Sequence, residues 1–206
     1  MDAEMLAVAR ACKGYLDENE GLRLHALAKE QAASGLVLEL GSYCGKSAIY
    51  LGSGVREAGG RLICVDHHRG SEEHQPGEEY HDPDLVDELS GRFDTLPTLR
   101  RTLAQAGLEP HVVHVVGRSQ DVASFWQTPL AMVFIDGGHS HEQAHMDYEG
   151  WADKVQLGGI LAIHDLFPNP DEGGQAPIEI YRRALASGWF EALPTTKTLG
   201  VLRRVA

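Results

Sequence analysis

Val37-Leu38-Glu39-Leu40-Gly41-Ser42-Tyr43-Cys44-Gly45-Lys46-Ser47 is the stretch that decides the fold. A short, almost wholly apolar run ends in an acid and a glycine turn, and the turn opens into a segment of helical length. Strand, tight turn and helix in that order make the first half of a βαβ unit. The same rhythm recurs outward from it. Apolar runs at 36–40, 61–65, 112–116, 131–135 and 159–163 end in or near Gly, Asp or His and lead into amphipathic stretches. Nearly continuous apolar runs alternating with helices predict five parallel strands covered on both faces. Strand candidates near Phe190 and at 199–202 predict an antiparallel closing pair. The helical spacing of Leu6, Ala9 and Cys12, then of Leu22, Leu24, Leu27 and Ala28, predicts two helices within residues 1–34.

The expected fold class is therefore α/β, a Rossmann-like, seven-stranded, mostly parallel sheet with helices on both faces and two N-terminal helices. The length of 206 residues suits one domain spanning 1–206. One segment breaks the rhythm. Residues 67–97 hold His67, His68, Glu72, Glu73, His74, Glu78, Glu79, His81, Asp82 and Asp84, too polar a set to pack, and are expected to form a long, lid-like insertion. Thirty acidic against 18 basic residues give a formal charge of -12, which repels a phosphate backbone and argues against a nucleic-acid partner. Cys12, Cys44 and Cys64 lack the spacing of a zinc knuckle or a redox pair, and are expected to be buried free thiols in a reducing compartment. The acidic N-terminus does not read as a signal peptide, and no apolar run approaches the roughly 20 residues that span a bilayer. A cytoplasmic protein without membrane attachment is expected.

Three ligand classes compete for the glycine turn. A phosphate-binding P-loop needs four residues between its first Gly and Gly-Lys-Ser, whereas three separate Gly41 from Gly45. A dinucleotide fingerprint needs a third glycine, and Glu39 would repel a pyrophosphate at the strand end. An acid there suits a cationic ligand. The adenosyl sulfonium cofactor S-adenosyl-L-methionine carries an ammonium group and no phosphate, so Glu39 suits its methionine end while Gly41 and Gly45 allow close backbone approach. Asp66 closes the next strand 27 positions after Glu39, where an acid can accept both ribose hydroxyls.

On these residues the sequence resembles the class I S-adenosylmethionine-dependent methyltransferases, which share an acid and glycine motif after strand one and an acid after strand two. The resemblance implies cofactor contacts from Glu39, Gly41, Ser42, Tyr43, Gly45, Ser47 and Asp66. It also places the turn Val116-Gly117-Arg118-Ser119-Gln120-Asp121 beside the adenine, which makes Ser119, otherwise a helix cap, a further contact.

Phe134-Ile135-Asp136-Gly137-Gly138-His139 carries the strongest chemical signal, because a buried strand there delivers Asp136 and His139 to the carboxyl edge of the sheet. The neighbouring run ends Ile163-His164-Asp165, which brings a second acid and imidazole to the same edge. Two carboxylates and an imidazole in one place are most simply joined by a hard divalent cation, Mg or Mn. The stretch from Asp136 through Asp147, Tyr148, Trp151, Leu157, Gly158, Gly159 and His164-Asp165 is similar to the metal-dependent sugar O-methyltransferases of macrolide and aminocoumarin pathways. In that family an acid after strand four and a pair 28 and 29 positions later hold the metal, a spacing met here by Asp136, His164 and Asp165. His164 stands where the family carries a carboxylate. The resemblance also implies His139 as general base and Asp136 as a residue beside the cofactor. The segment His67-His68-Arg69-Gly70-Ser71-Glu72-Glu73 is similar to that of the mycobacterial methylmannose polysaccharide 1-O-methyltransferases.

These observations predict methyl transfer to a hydroxyl of a small-molecule or oligosaccharide acceptor, a mannoside or related saccharide, by a homodimer. Catechol-type enzymes share the metal-site spacing and remain an alternative. A metal-dependent hydrolase would use the same Asp and His cluster but leaves Glu39, Gly41 and Asp66 unexplained. A noncatalytic cofactor-binding subunit is the third reading.

Overall fold

The computed structural model describes residues 1–78 and 80–206; Glu79, one of the acids of the polar segment, lies outside the described residues. The apolar runs form β1 (Leu36–Leu40), β2 (Leu62–Asp66), β3 (Val112–Val116), β4 (Leu130–Ile135) and β5 (Val155–Ile163), and the chain closes with β6 (Phe190–Thr196) and β7 (Leu199–Arg204). The strand order is β3-β2-β1-β4-β5-β7-β6. The first five strands run parallel, and β7 lies antiparallel to both β5 and β6. The α/β class, the seven strands and the antiparallel edge are those the sequence predicts. Because β1 continues to β2 on one side and pairs with β4 on the other, the strand order reverses there, and a crevice opens outside the carboxyl ends of these strands.

Side chains alternate across the sheet, so each face has its own core. Val37, Cys64, Met132, Phe134, Ile160 and Ala162 face the helices α1 (Ala3–Ala11), α2 (Glu18–Gln31), α3 (Lys46–Glu57) and α4 (Leu96–Gln105). Leu38, Leu40, Val133, Ile135, Leu161 and Ile163 face α5 (Ser119–Phe125), α6 (His141–Trp151) and α7 (Ala176–Ala186). The two N-terminal helices are present, and α2 starts with a reciprocal capping box in which Asp17 and Glu20 satisfy each other's backbone amides.

Several expectations are corrected. β3 is an edge strand and is not covered on both faces: Val113 and Val116 are 44% and 56% exposed. Cys44 and Cys64 are buried free thiols, but Cys12 is only partly buried. Ser119 does not cap α5; Arg118 holds the cap position without a side-chain bond, and Ser119 is the first helical residue. The polar segment before α4 does pack. Leu85 and Phe93 are buried against Cys44, Val86 forms an antiparallel bridge to Phe93, and short 3-10 turns occupy 72–74 and 83–85. Two apolar anchors thus hold a segment whose composition reads as solvated. Among the described residues no helix is long and apolar enough to cross a membrane.

Candidate active site

The glycine turn after β1 is shaped by a close passage. Gly41 has φ +81°, and a Cβ there would lie 2.2 Å from the carbonyl oxygen of Asp136, so only glycine lets the exit of β1 pass that of β4. Tyr43 follows with φ +46°, a left-handed conformation uncommon for a residue with a side chain. Asp66 at the end of β2 locks this turn, accepting the amides of Ser42 (2.9 Å) and Tyr43 (3.0 Å) on Oδ2 and that of His68 (2.7 Å) on Oδ1. A carboxylate has about four acceptor positions, so Asp66 keeps capacity for a ligand hydroxyl while tied to the backbone.

Glu39 is fully buried beneath the turn, lying against Ser47, Cys64 and Ser42, and neither carboxyl oxygen meets a hydrogen-bond partner. Burial pushes its pKa up to about 7. The Ser42 hydroxyl is likewise buried and unpartnered. Two orphaned polar side chains under a glycine turn are costly unless a ligand completes them, and an acid among them favours a positive one.

At the ends of β4 and β5 the structure brings Asp136, His139, His164 and Asp165 together. Asp165 is held at φ +59°, a strained backbone of the kind that clusters at functional sites. His139 Nε2 lies 3.1 Å from Asp165 Oδ2, and its Nδ1 lies 3.4 Å from Glu73 Oε2 of the polar segment. The hydrogen bond to Asp165 holds the His139 pKa up at about 9, against the opposing effect of burial. Asp165 is correspondingly held well below the carboxylate range: burial works against its charge, but both imidazoles outweigh that.

His164 is placed differently from the expected metal ligand. Its Nδ1 lies 3.0 Å from Asp136 Oδ1 and its Nε2 lies 3.0 Å from Glu20 Oε2. Burial disfavours charge on this ring, yet Asp136, Asp165 and Glu20 together hold it protonated. Both ring nitrogens of His164 are thus turned to carboxylates of the protein itself. The donor atoms that converge are instead one oxygen each of Asp136 and Asp165 and one nitrogen of His139, all within 4.8 Å of one another. Two hard oxygens and one nitrogen suit a divalent cation that accepts mixed donors, which favours Mn over Mg.

Glu20 joins the site from α2, a position the strand-end pattern does not mark. Its Oε1 accepts the backbone amide and hydroxyl of Thr198, both at 2.8 Å, while Oε2 takes His164. The sequence does carry a signal: Glu20, Leu24, Leu27 and Gln31 share the buried stripe of α2, and an acid on such a stripe needs an internal partner.

Ser119 receives the Trp151 indole N–H on its hydroxyl at 2.8 Å, and lies beside the buried Asp147, whose pKa burial raises. Asp147 and Trp151, four apart on α6, thus serve to fix the turn after β3. Of the four histidines in the polar segment, His67 and His74 line the cavity, whereas His68 is buried with its ring 2.8 Å from Thr95 Oγ1 and His81 bonds the carbonyl of His74 through Nδ1 at 2.9 Å. The His74 ring packs on Tyr43, with centroids 5.2 Å apart.

A single cavity of about 950 Å³ joins these groups. Gly41, Ser42, Tyr43, Ser47, Asp66 and Ser119 line one end, and Asp136, His139, His164 and Asp165 the other, with Glu73 and His74 across the opening. Glu39 and Gly45 lie behind the wall and do not line it.

The chain belongs to a family described as "Methyltransferase domain", whose match spans residues 38–166 and so runs from β1 to the residue after Asp165. Among solved structures it is similar to cofactor-bound Rv0187 from MTB, at 23% identity and a TM-score of 0.66 over 98% of this chain and 88% of that one. It is also similar to the O-methyltransferase TomG from Streptomyces achromogenes, involved in tomaymycin synthesis and solved with SAM (19% identity, TM-score 0.66, 100% of this chain and 91% of that one). A third is SAH-bound PaMTH1, a methyltransferase of Podospora anserina (14% identity, TM-score 0.70, 100% and 89%). At these identities the structural likeness is one of fold.

Proposed function

We propose that the protein is an S-adenosylmethionine-dependent O-methyltransferase that acts on a sugar hydroxyl with the help of a divalent cation. The observation that carries this reading is the continuity of the cavity, in which the glycine turn and Asp66 face the Asp136, His139 and Asp165 cluster. The SAM and SAH bound to TomG and PaMTH1, proteins of the same fold, support the cofactor.

Bound S-adenosylmethionine would supply an electrophilic methyl group on a sulfonium. Ser42, unpartnered under the turn, and the charge of Glu39 behind it suit its cationic amino-acid end, and Asp66 its ribose hydroxyls. Gly41 lets the backbone approach it, Gly45 lets the turn pack against Leu99 and Thr102 of α4, Tyr43 and Ser47 flank the cofactor, and Ser119 fixes the turn on which the adenine rests. A cation held by Asp136 and Asp165, with His139 beside it, would lower the pKa of an acceptor hydroxyl. His164 is a positioning residue that holds Asp136 and Asp165 by charge. His139 would take the proton of the acceptor hydroxyl, and the bound cofactor would supply its methyl group to that oxygen and leave as the thioether. His139 must be neutral to accept that proton, so the pull of Asp165 has to be relieved in the working enzyme, as a cation on the carboxylates would do.

A sugar acceptor is favoured by the polar rim, where Glu72, Glu73, Glu142 and Glu172 meet the cavity. A flat phenolic acceptor has one observation in its favour, the aromatic group of Tyr15, Tyr43 and Tyr80 at the same mouth, with Tyr15 and Tyr80 centroids 5.2 Å apart. The test is transfer of labelled methyl from S-adenosylmethionine to a panel of mannosides, glucosides and catechols, comparing chelated protein with protein given Mg or Mn. Metal-dependent labelling of a sugar is expected. Labelling of catechols alone replaces the acceptor class, and labelling that survives chelation removes the cation from the mechanism.

A further inference from the structure

Helix α6 opens with His141-Glu142-Gln143-Ala144-His145, two histidines four residues apart and so on one helical face. The pattern H-E-x-x-H on a helix is a zinc-binding arrangement because both imidazoles then point at one spot. Here the two rings lie side by side, with centroids 4.2 Å apart and planes inclined by 28°. They face α7. His141 Nε2 lies 3.3 Å and His145 Nε2 3.6 Å from the same oxygen, Glu179 Oε2, and one donor atom from each of the three residues falls within 4.8 Å of the others. Bonds of roughly 2.0–2.2 Å at a tetrahedral angle put neighbouring donors about 3.4 Å apart, which both imidazole-to-carboxylate edges match. His145 Nε2 is also shielded from solvent and has no hydrogen-bond partner among the described residues, an unsatisfied position that a metal would fill.

We propose that His141, His145 and Glu179 form a second metal site, for Zn²⁺ or a similar nitrogen-preferring divalent ion, which clamps α6 to α7. It is separate from the cluster at the strand ends and does not depend on the methyl-transfer reading. Its chemistry differs too: two nitrogens and one oxygen select softer ions than the two oxygens and one nitrogen of the central cluster. The site binds metal and is not a peptidase centre, since Glu142, the acid of the pattern, lines the cavity. The two helices it joins follow the loops carrying His139 and Gly174, both on the cavity wall, so occupancy would stiffen that wall.

Arg183 opposes the site. Its Nη1 lies 3.1 Å from His145 Nδ1 and 2.7 Å from Glu149 Oε1. A guanidinium only donates, so His145 accepts on Nδ1 and carries its proton on Nε2, the atom that must bind metal. Binding therefore requires that proton to move to Nδ1 and Arg183 to retire to Glu149.

The test is a Zn²⁺ titration by calorimetry, with Co²⁺ absorption as a second readout, on metal-stripped protein carrying Asp136→Asn and Asp165→Asn to remove the central carboxylates. Circular dichroism checks the fold, and the same titration on the unsubstituted protein serves should that background fail to fold. One Zn²⁺ is expected to bind in the Asn background. His141→Ala or His145→Ala, added to it, should abolish binding, and Glu179→Gln should weaken it by on the order of 10–100-fold. Arg183→Ala should tighten it, which a loose surface association would not show. In the unsubstituted protein, His141→Ala should remove one of the bound ions. Unchanged stoichiometry and affinity in His141→Ala, no binding in the micromolar range, or weaker binding in Arg183→Ala would each overturn the site.

Discussion

Replacing Glu39 with Gln isolates the energetic cost that the fold carries for its ligand. The Glu39 carboxyl moves from an ordinary value of 4.5 to about 7 on folding because burial disfavours its charged form. A raised acid binds more protons folded than unfolded between those values, so its contribution to stability falls as pH rises from 4.5 and levels off above 7. The full penalty is ~3 kcal/mol, from about 2.5 pKa units at ~1.4 kcal/mol each. Between pH 5.5 and pH 8 the penalty grows by ~2 kcal/mol. Glu39→Gln removes the titration and leaves a pH-independent offset, so the informative quantity is the change in the gap between the two proteins. Denaturant melts of ligand-free protein should show Glu39→Gln gaining ~2 kcal/mol on wild type across that interval, equivalent to roughly 4–8 °C in Tm for a chain of this size. Calorimetry should also show weaker S-adenosylmethionine binding, because the field of the carboxylate behind the cavity wall is lost. A gap that stays constant with pH would refute the desolvation argument, and unchanged affinity would remove Glu39 from the cofactor site.

Two further substitutions test the other end of the cavity. His139→Ala should lower kcat by ~10²–10⁴ while leaving cofactor affinity unchanged, measured by labelled-methyl transfer and by calorimetry; full turnover in this variant would remove His139 as the base. Glu20→Ala leaves a buried imidazolium with one partner fewer, and should cost on the order of 3–5 kcal/mol in urea unfolding. Its effect on turnover should appear in kcat more than in KM, and Glu20→Asp should restore part of both, which a purely packing role would not do.

The strands were legible because both cores are nearly pure hydrocarbon and the strand ends are marked by polar residues. Asp66, Asp136 and Asp165 could be placed at one sheet edge for that reason alone, whereas the complete burial of Glu39 within β1 could not be read from it. What was not legible depended on where apolar anchors and ring nitrogens end up in three dimensions. The segment from His67 to Pro97 reads as solvated by composition, yet Leu85 and Phe93 suffice to seat it on Cys44 and bring Glu73 to His139. His164 reads as a ligand from its spacing, but spacing along a strand cannot reveal that a helix more than a hundred residues earlier supplies a carboxylate to its far side. The His141, His145 and Glu179 cluster was half visible as a helical pattern; its third member depends on how α6 meets α7.

His164 makes sense of how α2 is placed. A buried imidazolium beside Asp136 and Asp165 would still face an apolar interior on its other nitrogen, where an unpaired N–H is expensive. Glu20 removes that expense, and its second oxygen is in turn consumed by Thr198 at the start of β7. The same glutamate closes the capping box of α2, so the start of that helix, the hairpin of β6 and β7 and the acid cluster are fixed by one side chain. Asp136 extends the chain in the other direction: its amide donates to Leu40, its carbonyl sits where any Cβ on Gly41 would fall, and its carboxylate holds His164. A displacement of α2 would therefore reach the glycine turn through only three side chains, Glu20, His164 and Asp136. α2 therefore reaches the site through Glu20, and the loop of residues 13–16 before it lines the cavity directly.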